Sequence, residues 1–384
     1  MKNVLFISYY FEPLKQVGAK RISYWAKYIH DLDNNIICDV ITATNDTDRI
    51  NKNTIRKIYY VPNVYKNFAH PIKDEGLNWK KCLKKFLKGS KLPKYDLVII
   101  TGGPFMHFGI SHFLKKFFKC KVILDFRDPF ANNPRFKNSS TKKLIKKHYE
   151  KNFIKNCDRV ITVNKYCGEL LSIDDKNKLS IIENGYDEKS LKDIEFDNTN
   201  LIKDNNIKFV YAGKIHDINT TINFLDVISR EENKDKFSFY YIGSDGDNFL
   251  RYKDCDNIKI LGNKTYKDTL KYIKECDVGM VITSADPFIS TTKVFDYIAL
   301  DKNIFVLTDK TLNKGSLVDI LNNYYNKSFW SCSDTNMIDN ELKNLFKYFN
   351  EDIKITGNIE KNNKKLFSRE YGLLKLIELI NSLI

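Results

Sequence analysis

The sequence lacks the features of a membrane-spanning or exported protein. No apolar run approaches the roughly 18 residues that a membrane-spanning helix needs. The first residues, MKNVLFISYY, contain neither the long apolar core nor the small-residue cleavage site of a signal peptide, and they are more typical of a buried strand. We therefore expect a cytoplasmic protein.

Cysteine is present, but in no pattern that binds a metal. The eight cysteines are scattered, without a C-x-x-C spacing and without a cluster of cysteine and histidine. They are typical of small buried hydrophobic residues in a reducing compartment. We expect no zinc site.

Arginine is scarce. Only nine of the 63 basic residues are arginines, and no known nucleic-acid-binding module is recognisable. Nucleic acid is therefore not an expected partner, although a basic nucleic-acid-binding protein stays the non-enzymatic alternative.

Positive charge is abundant and unevenly distributed. The formal net charge is +15, yet residues 1–195 carry 37 basic and 21 acidic residues, and residues 196–384 carry 26 and 27. Within 51–150 the counts are 23 and 6. This concentration predicts that the first half faces an anionic partner: a membrane surface, a phosphorylated acceptor or nucleic acid.

Strand and helix patterns alternate along the whole chain. Apolar strand-like runs occur at 3–9, 38–43, 95–101, 121–126 and 159–163, and again at 207–213, 237–243, 257–262, 278–283 and 303–308. Such runs separated by helices are typical of parallel sheets covered on both faces. The polar stretch 190–206 separates the two sets. We predict an α/β protein with two doubly wound, Rossmann-like domains, 1–195 and 196–363, and a final helix within 364–384 that packs back on the first.

Polar and glycine-rich loops follow the predicted strands of the first half. Ligands of open parallel sheets bind at the carboxyl ends of strands. Gly18 follows the first strand, TGGPF contains Gly102 and Gly103, and LDFRDPF ends a strand with Asp125, Arg127 and Asp128. We predict that Arg127 or Asp128 holds an acceptor or sugar hydroxyl; an internal Arg–Asp pair is the alternative. His107 and His216 are minor candidates as a base.

The segment TTKVFDYIAL permits two interpretations. Lys293 and Asp296 are three residues apart, so they share one helix face and could form a surface ion pair. Alternatively, the helix start could bind a nucleotide, because Ser290, Thr291 and Thr292 precede it and its amides and Lys293 suit a phosphate.

The order of these segments resembles bacterial glycosyltransferases of the GT-B fold, close to glycosyltransferase family 4. The resemblance runs from MKNVLFISYYFEPLKQVGAKR through LDFRDPF, IIENGYD and YAGKI to TTKVFDYIALDKNIFVL. It implies two Rossmann-like domains facing a central cleft. The first would bind the acceptor and the second a nucleotide sugar.

The chain departs from the family pattern at three points. Gly18 is the single glycine where many members have a pair, and Lys214 stands where they have an arginine. Asp296 takes the place of the second of two glutamates eight apart, and the place of the first holds Phe288. The donor sugar and the catalytic residues are therefore not fixed by the resemblance.

The resemblance assigns roles to individual residues. Lys293 and Lys214 would stabilise the leaving diphosphate, and Asp296 would accept hydrogen bonds from ribose. The residues it implies for donor binding are Gly18, Gly213, Lys214, Gly243, Thr291, Thr292, Lys293 and Asp296; those for catalysis are Arg127, Asp128, Lys214 and Lys293.

The resemblance also implies a reaction. A sugar would pass from a nucleotide sugar, with UDP favoured, to a lipid-linked or polysaccharide acceptor in cell-surface polysaccharide assembly. Configuration would be retained, and neither a metal nor another cofactor would be needed. A sugar-nucleotide epimerase of the same fold is the alternative.

One basic helix suggests how the first half could meet a membrane. In NWKKCLKKFLK, Trp79, Leu83, Phe86 and Leu87 share a face and five lysines line the others. A basic amphipathic helix of this kind can lie in the headgroup region of an anionic bilayer. The alternative is an ordinary helix packed on the first domain.

Overall fold

The computed structural model describes residues 1–14, 17–45, 54–64, 70–194, 196, 201–203, 205–215, 217–289, 291–351 and 361–384. These residues form two compact units: unit 1 contains Met1–Asn184 and Arg369–Ile384, and unit 2 contains Gly185–Ser368. The division lies at Asn184, eleven residues before the predicted boundary at 195. Among the described residues, no helix is long and apolar enough to cross a bilayer.

Unit 1 is built on a seven-stranded parallel sheet in the order β3-β2-β1-β4-β5-β6-β7. Its strands are β1 (Lys2–Ser8), β2 (Ile36–Thr42), β3 (Ile55–Tyr60), β4 (Leu97–Thr101), β5 (Lys121–Phe126), β6 (Arg159–Thr162) and β7 (Leu179–Ile181). Its α-helices are α1 (Val17–Leu32), α2 (Glu75–Gly89), α3 (Ser111–Phe118), α4 (Ser140–Lys155) and α5 (Lys165–Leu170). Short 3-10 helices span Met106–Ile110 and Lys176–Lys178.

Unit 2 is built on a six-stranded parallel sheet in the order β10-β9-β8-β11-β12-β13. Its strands are β8 (Ile207–Ala212), β9 (Phe237–Ile242), β10 (Ile258–Ile260), β11 (Val278–Thr283), β12 (Asn303–Thr308) and β13 (Ser328–Cys332). Its α-helices are α6 (Glu188–Lys192), α7 (Ile218–Ile228), α8 (Tyr266–Glu275), α9 (Lys293–Ala299), α10 (Ser316–Asn322) and α11 (Thr335–Asn350). Two 3-10 helices span Gly246–Tyr252 and Lys361–Phe367, and α12 (Arg369–Leu383) follows in unit 1.

The two faces of the unit 1 sheet bury different helices. Alternate residues of a strand point to opposite faces, so Leu5 and Ile7 of β1 enter one cluster and Val4 and Phe6 enter the other. The first cluster includes apolar residues of α2, α3 and α4, whereas the second includes those of α1 and α12. Helix α12 therefore completes the core of unit 1.

The apolar side of α2 faces this core, so it cannot insert into a membrane. Trp79, Leu83 and Leu87 have no exposed surface, and Phe86 packs against the same cluster. The indole Nε1 of Trp79 also donates a 2.8 Å hydrogen bond to the carbonyl of Val61. The expectation that these residues contact lipid is wrong, because the sheet already covers them. Lys81, Lys84, Lys85 and Lys88 of α2 are exposed.

Candidate functional site

The carboxyl edge of the unit 2 sheet gathers several of the residues predicted to bind the donor. The strand order reverses between β8 and β11, and ligands of doubly wound sheets bind at such a reversal. Gly213 and Lys214 directly follow β8, and the segment after β11 leads to Lys293 at the start of α9. The Nζ atom of Lys293 lies 3.4 Å from the carbonyl oxygen of Lys214.

Two features of the structure require glycine at position 213: the backbone conformation there and the close approach of Lys293. Its φ of +108° is strained for any residue with a side chain. A Cβ atom there would also lie 2.9 Å from Cε of Lys293. Glycine therefore lets the lysine side chain lie directly against the backbone that leaves β8.

Lys293 lies over an aromatic ring at this edge. Its Nζ donates a 3.0 Å hydrogen bond to Oη of Tyr211 and lies 4.6 Å from the centre of the ring. Partial burial lowers the pKa of Lys293 to about 8, and the carboxylates of Asp245 and Asp296 act in the opposite direction. The amine is therefore mostly protonated at pH 7 and loses its proton as the pH rises through about 8.

Asp245 and Tyr241 hold the neighbouring loop. Asp245 accepts a 2.8 Å hydrogen bond from the amide of Ile215, which holds the pKa of its carboxyl below the usual range. A Cβ atom at Gly243 would overlap the hydroxyl of Tyr241 and lie 2.7 Å from the carbonyl oxygen of Gly213. Gly243 therefore serves the packing of this loop.

Two other residues predicted to bind the donor, Asp296 and Thr291, already have partners within unit 2. Asp296 accepts a 2.7 Å hydrogen bond from the hydroxyl of Tyr266. Thr291 accepts one from the amide of Lys293 through its hydroxyl, and Thr292 is exposed. A ribose at Asp296 would have to share or displace the Tyr266 hydroxyl.

Unit 1 has the same kind of strand reversal, between β1 and β4, and Arg127 lies beside it. Its guanidinium donates two hydrogen bonds to the carbonyl oxygen of Gly102, from Nε at 3.1 Å and from Nη2 at 2.6 Å. A Cβ atom at Gly18 would lie 3.0 Å from this guanidinium, and one at Gly103, whose φ is +75°, would lie 2.8 Å from it. The structure thus brings Arg127 together with the glycines of two predicted loops.

The two acidic residues of LDFRDPF differ in environment. Asp125 is fully buried, accepts from the hydroxyl of Thr101 and lies 3.6 Å from Nε of Arg21. Arg21 also donates to the carbonyl of Ile182, and burial lowers its pKa to about 10. These two residues tie the start of α1 to the sheet, whereas Asp128 is exposed and available to a ligand.

His107 is a structural residue. It is fully buried, its Nε2 lies 3.1 Å from the carbonyl oxygen of Thr101, and its ring contacts that of Trp79 edge to face. Burial lowers its pKa to about 3, so it is neutral at physiological pH. His216 and Ser290 lie outside the described residues.

Four residues near these edges, Tyr211, Asp245, Tyr10 and Glu75, were not predicted from the sequence. Tyr211 and Asp245 position and charge-stabilise Lys293, and in unit 1 Tyr10 donates a 3.1 Å hydrogen bond to Glu75 at the start of α2. Tyr211 is part of an apolar strand and has the pattern of a core residue. Asp245 follows β9 by three residues, a position from which the sequence could have predicted it, whereas Glu75 lies fifteen residues after β3.

No family model and no curated protein sequence matches the chain. Solved structures match over all of it. A glycosyltransferase from Rickettsia africae matches with a TM-score of 0.67 and 16% identity, over 100% of this chain and 98% of that one. The Anabaena protein HepE in complex with UDP and glucose gives 0.63 and 11%, with full coverage of both chains. A UDP-GlcNAc 2-epimerase from Neisseria meningitidis, bound to UDP-GlcNAc, gives 0.59 and 14%, also with full coverage.

The chain therefore has the GT-B fold. Two doubly wound parallel sheets of seven and six strands, matched along their whole length by glycosyltransferases, confirm the fold predicted from the sequence. At these identities the likeness defines the fold alone, and epimerases share it. The narrower assignment to glycosyltransferase family 4 stays a prediction.

Proposed function

We propose that the protein is a glycosyltransferase that uses a nucleotide sugar as donor, with UDP favoured. The observation that carries this proposal is the position of Lys293, a half-buried cation beside Gly213 at the strand reversal of unit 2. A cation at such a reversal suits a diphosphate. The matched structures that contain UDP or a UDP-sugar favour uridine as the base.

Transfer would depend on stabilising the diphosphate as it leaves. Negative charge accumulates on the leaving phosphate in the transition state, and a fixed cation lowers the barrier to the extent that it binds this charge more tightly than the ground state. Lys293 supplies that cation, and the exposed side chain of Lys214 can add a second charge. The proposal requires no metal or additional cofactor and assigns retention of configuration.

Unit 1 would bind the acceptor. The exposed carboxylate of Asp128 can accept hydrogen bonds from sugar hydroxyls, while Arg127 fixes the loop through the Gly102 carbonyl. The acceptor that we propose is a lipid-linked or polysaccharide chain in cell-surface polysaccharide assembly, extended in the cytoplasm at the inner face of the membrane.

Thermal denaturation with UDP, GDP, CMP and their sugars would test the donor assignment, because a ligand that binds only the folded state raises its stability. We expect stabilisation by UDP and UDP-sugars above that by the other nucleotides. Absence of stabilisation by every nucleotide would contradict the proposal.

An epimerase is the second candidate, because the Neisseria UDP-GlcNAc 2-epimerase matches the whole chain. The two activities differ in their need for an acceptor. Incubation of a UDP-sugar with the protein alone, followed by separation of the sugars, would detect epimerisation. Release of UDP that depends on an added acceptor would instead support transfer.

A further inference from the structure

Positive charge is concentrated on three helices of unit 1. Helix α2 contributes five lysines, α3 two and α4 six, against two acidic residues, Glu75 and Glu150. Glu150 is fully buried and accepts hydrogen bonds from the amides of Ala131 and Ser172. Two of the lysines form ion pairs with acids outside these helices, Lys115 with Asp158 and Lys151 with Asp174. The outward sides of α2, α3 and α4, which we call the basic face, keep a large excess of positive charge.

The helices on the opposite side of the sheet carry a smaller excess of positive charge. Helices α1 and α12 contain five basic and three acidic residues. Two of the basic residues form ion pairs, Arg21 with Asp125 and Lys27 with Glu12. A general lysine bias of the chain would have charged both sides alike, so the basic face is a local property of unit 1.

Exposed apolar side chains lie among these lysines. Leu144 of α4 is 67% exposed, Phe117 of α3 is 43% exposed, and Phe136, just before α4, is 62% exposed. Leu144 shares one side of α4 with the exposed Lys147, Lys151 and Lys155, since all four lie at helical spacing.

Contacts join several of these side chains into two groups within the basic face. Lys146 of α4 lies 5.7 Å from the ring centre of Phe136. On the other side of the face, Phe113 stacks on Phe117 with ring centres 5.3 Å apart, and Lys84 of α2 lies over Phe113. Burial and repulsion between neighbouring lysines lower the pKa of Lys80, which reflects the density of charge there.

We propose that the basic face docks the protein on an anionic lipid surface, with Leu144, Phe117 and Phe136 entering the headgroup region. Lysines attract the negative surface potential, and exposed leucine and phenylalanine add the apolar contact that distinguishes a lipid surface from other polyanions. The helices of the face contain no arginine, the residue that nucleic-acid surfaces favour. This proposal does not depend on the glycosyltransferase activity.

Vesicle sedimentation of the full chain tests the proposal. We expect binding to vesicles of phosphatidylcholine with phosphatidylglycerol, little binding to phosphatidylcholine alone, and weaker binding as salt increases. Changing Lys143, Lys147 and Lys155 to Gln should lower the partition coefficient roughly 100-fold, since each lysine near such a surface contributes about fivefold.

Two further variants distinguish an effect of the basic face from an effect of the protein's net charge. Changing the exposed Lys253, Lys259 and Lys274 of unit 2 to Gln removes the same charge elsewhere and should leave vesicle binding within about twofold of the parent. Leu144→Gln should weaken binding about tenfold without changing charge. Circular dichroism and the melting temperature check that each variant is folded.

Three outcomes would overturn the proposal. The first is equal binding to neutral and anionic vesicles, or to neither. The second is equal loss in the two triple-lysine variants, which would make net charge the cause. The third is binding to a short DNA duplex with no binding to anionic vesicles, which would assign the basic face to nucleic acid.

Discussion

The amino group of Lys293 lies 3.0 Å from the phenolic oxygen of Tyr211 and 4.6 Å from the centre of its ring. A second half-buried lysine of unit 2 has a different environment: Nζ of Lys302 donates to the carbonyl oxygens of Lys274 and Cys276 at 2.6 and 2.7 Å. Burial lowers the pKa of both amines to about 8. Lys302 binds two carbonyls at the amino edge of the sheet, whereas Lys293 is the one placed to meet a ligand.

Replacement of Lys293 by Met should weaken UDP binding about 12- to 150-fold, because a charge-assisted contact to a phosphate is worth roughly 1.5–3 kcal/mol. Isothermal titration calorimetry would measure the change. Lys302→Met is the matched control: it removes a lysine of similar pKa from the other edge of the same sheet, and should lower the melting temperature while leaving UDP affinity unchanged. Equal UDP affinity of the parent and Lys293→Met would refute the role of this lysine.

The pH dependence of UDP binding should report the same amine. The unliganded pKa of Lys293 is about 8, so its charge is present below that pH and is lost as pH rises through it. The phosphates of UDP titrate near pH 6 and are already ionised in this window. UDP affinity should therefore fall above about pH 8, by at most about tenfold per pH unit. Titrations of Lys293→Met across the same range should be flat.

Gly213→Ala should damage the donor site through the backbone. A side chain at φ of +108° costs roughly 1–2 kcal/mol, and the new Cβ would meet Cε of Lys293. We expect a lower free energy of unfolding in urea and weaker UDP binding. Gly89→Ala, where a Cβ atom meets nothing within 4 Å, is the control: it should leave UDP affinity unchanged and, because Gly89 ends helix α2, should not lower the free energy of unfolding. If Gly213→Ala lowers the free energy of unfolding but leaves UDP affinity unchanged, the Lys293 side chain can move away from the new Cβ atom and still bind UDP.

The sequence predicted the strands that are apolar throughout, and it missed three of another kind. β3 (IRKIYY) lies at a sheet edge with charged residues exposed, β7 has three residues, and β13 alternates buried with half-buried positions. Each has too little continuous apolar character to be distinguished from a loop. Long-range pairing with a neighbouring strand decides their structure.

Some residues of the candidate site could be predicted from their position in the chain relative to the predicted strands. Gly213 directly follows β8, and Lys293 begins the helix that comes after β11; these two strands border the reversal in the sheet. The burial of Arg21 could not be predicted, because its partners Asp125 and Ile182 are distant in sequence. The same limit applies to α2, since an amphipathic helix has one pattern whether a sheet or a bilayer covers it.

In unit 1, Arg127→Ala should lower turnover about tenfold or more while leaving UDP affinity unchanged. The variant loses both hydrogen bonds to the Gly102 carbonyl, and small displacements of groups that position a substrate are costly. Arg159→Ala, at the amino edge of the same sheet, is the control and should keep full turnover. Asp128→Asn should act in the same direction as Arg127→Ala. A parallel loss of UDP affinity would show that unit 1 contributes to the donor site.

His107 should make folding stability depend on pH in mildly acidic solution. Its pKa is about 3 in the folded protein and about 6.5 in the unfolded chain, so acid protonates the unfolded state first. The stability that the neutral ring contributes is fully present above about pH 6.5 and is lost as pH falls towards 3, by about 2 kcal/mol at pH 5. Gln at position 107 can still donate to the Thr101 carbonyl but does not titrate. Urea unfolding of the parent and of His107→Gln at neutral pH and near pH 5 should therefore give curves that converge on acidification; a constant difference between them would mean that His107 keeps its usual pKa.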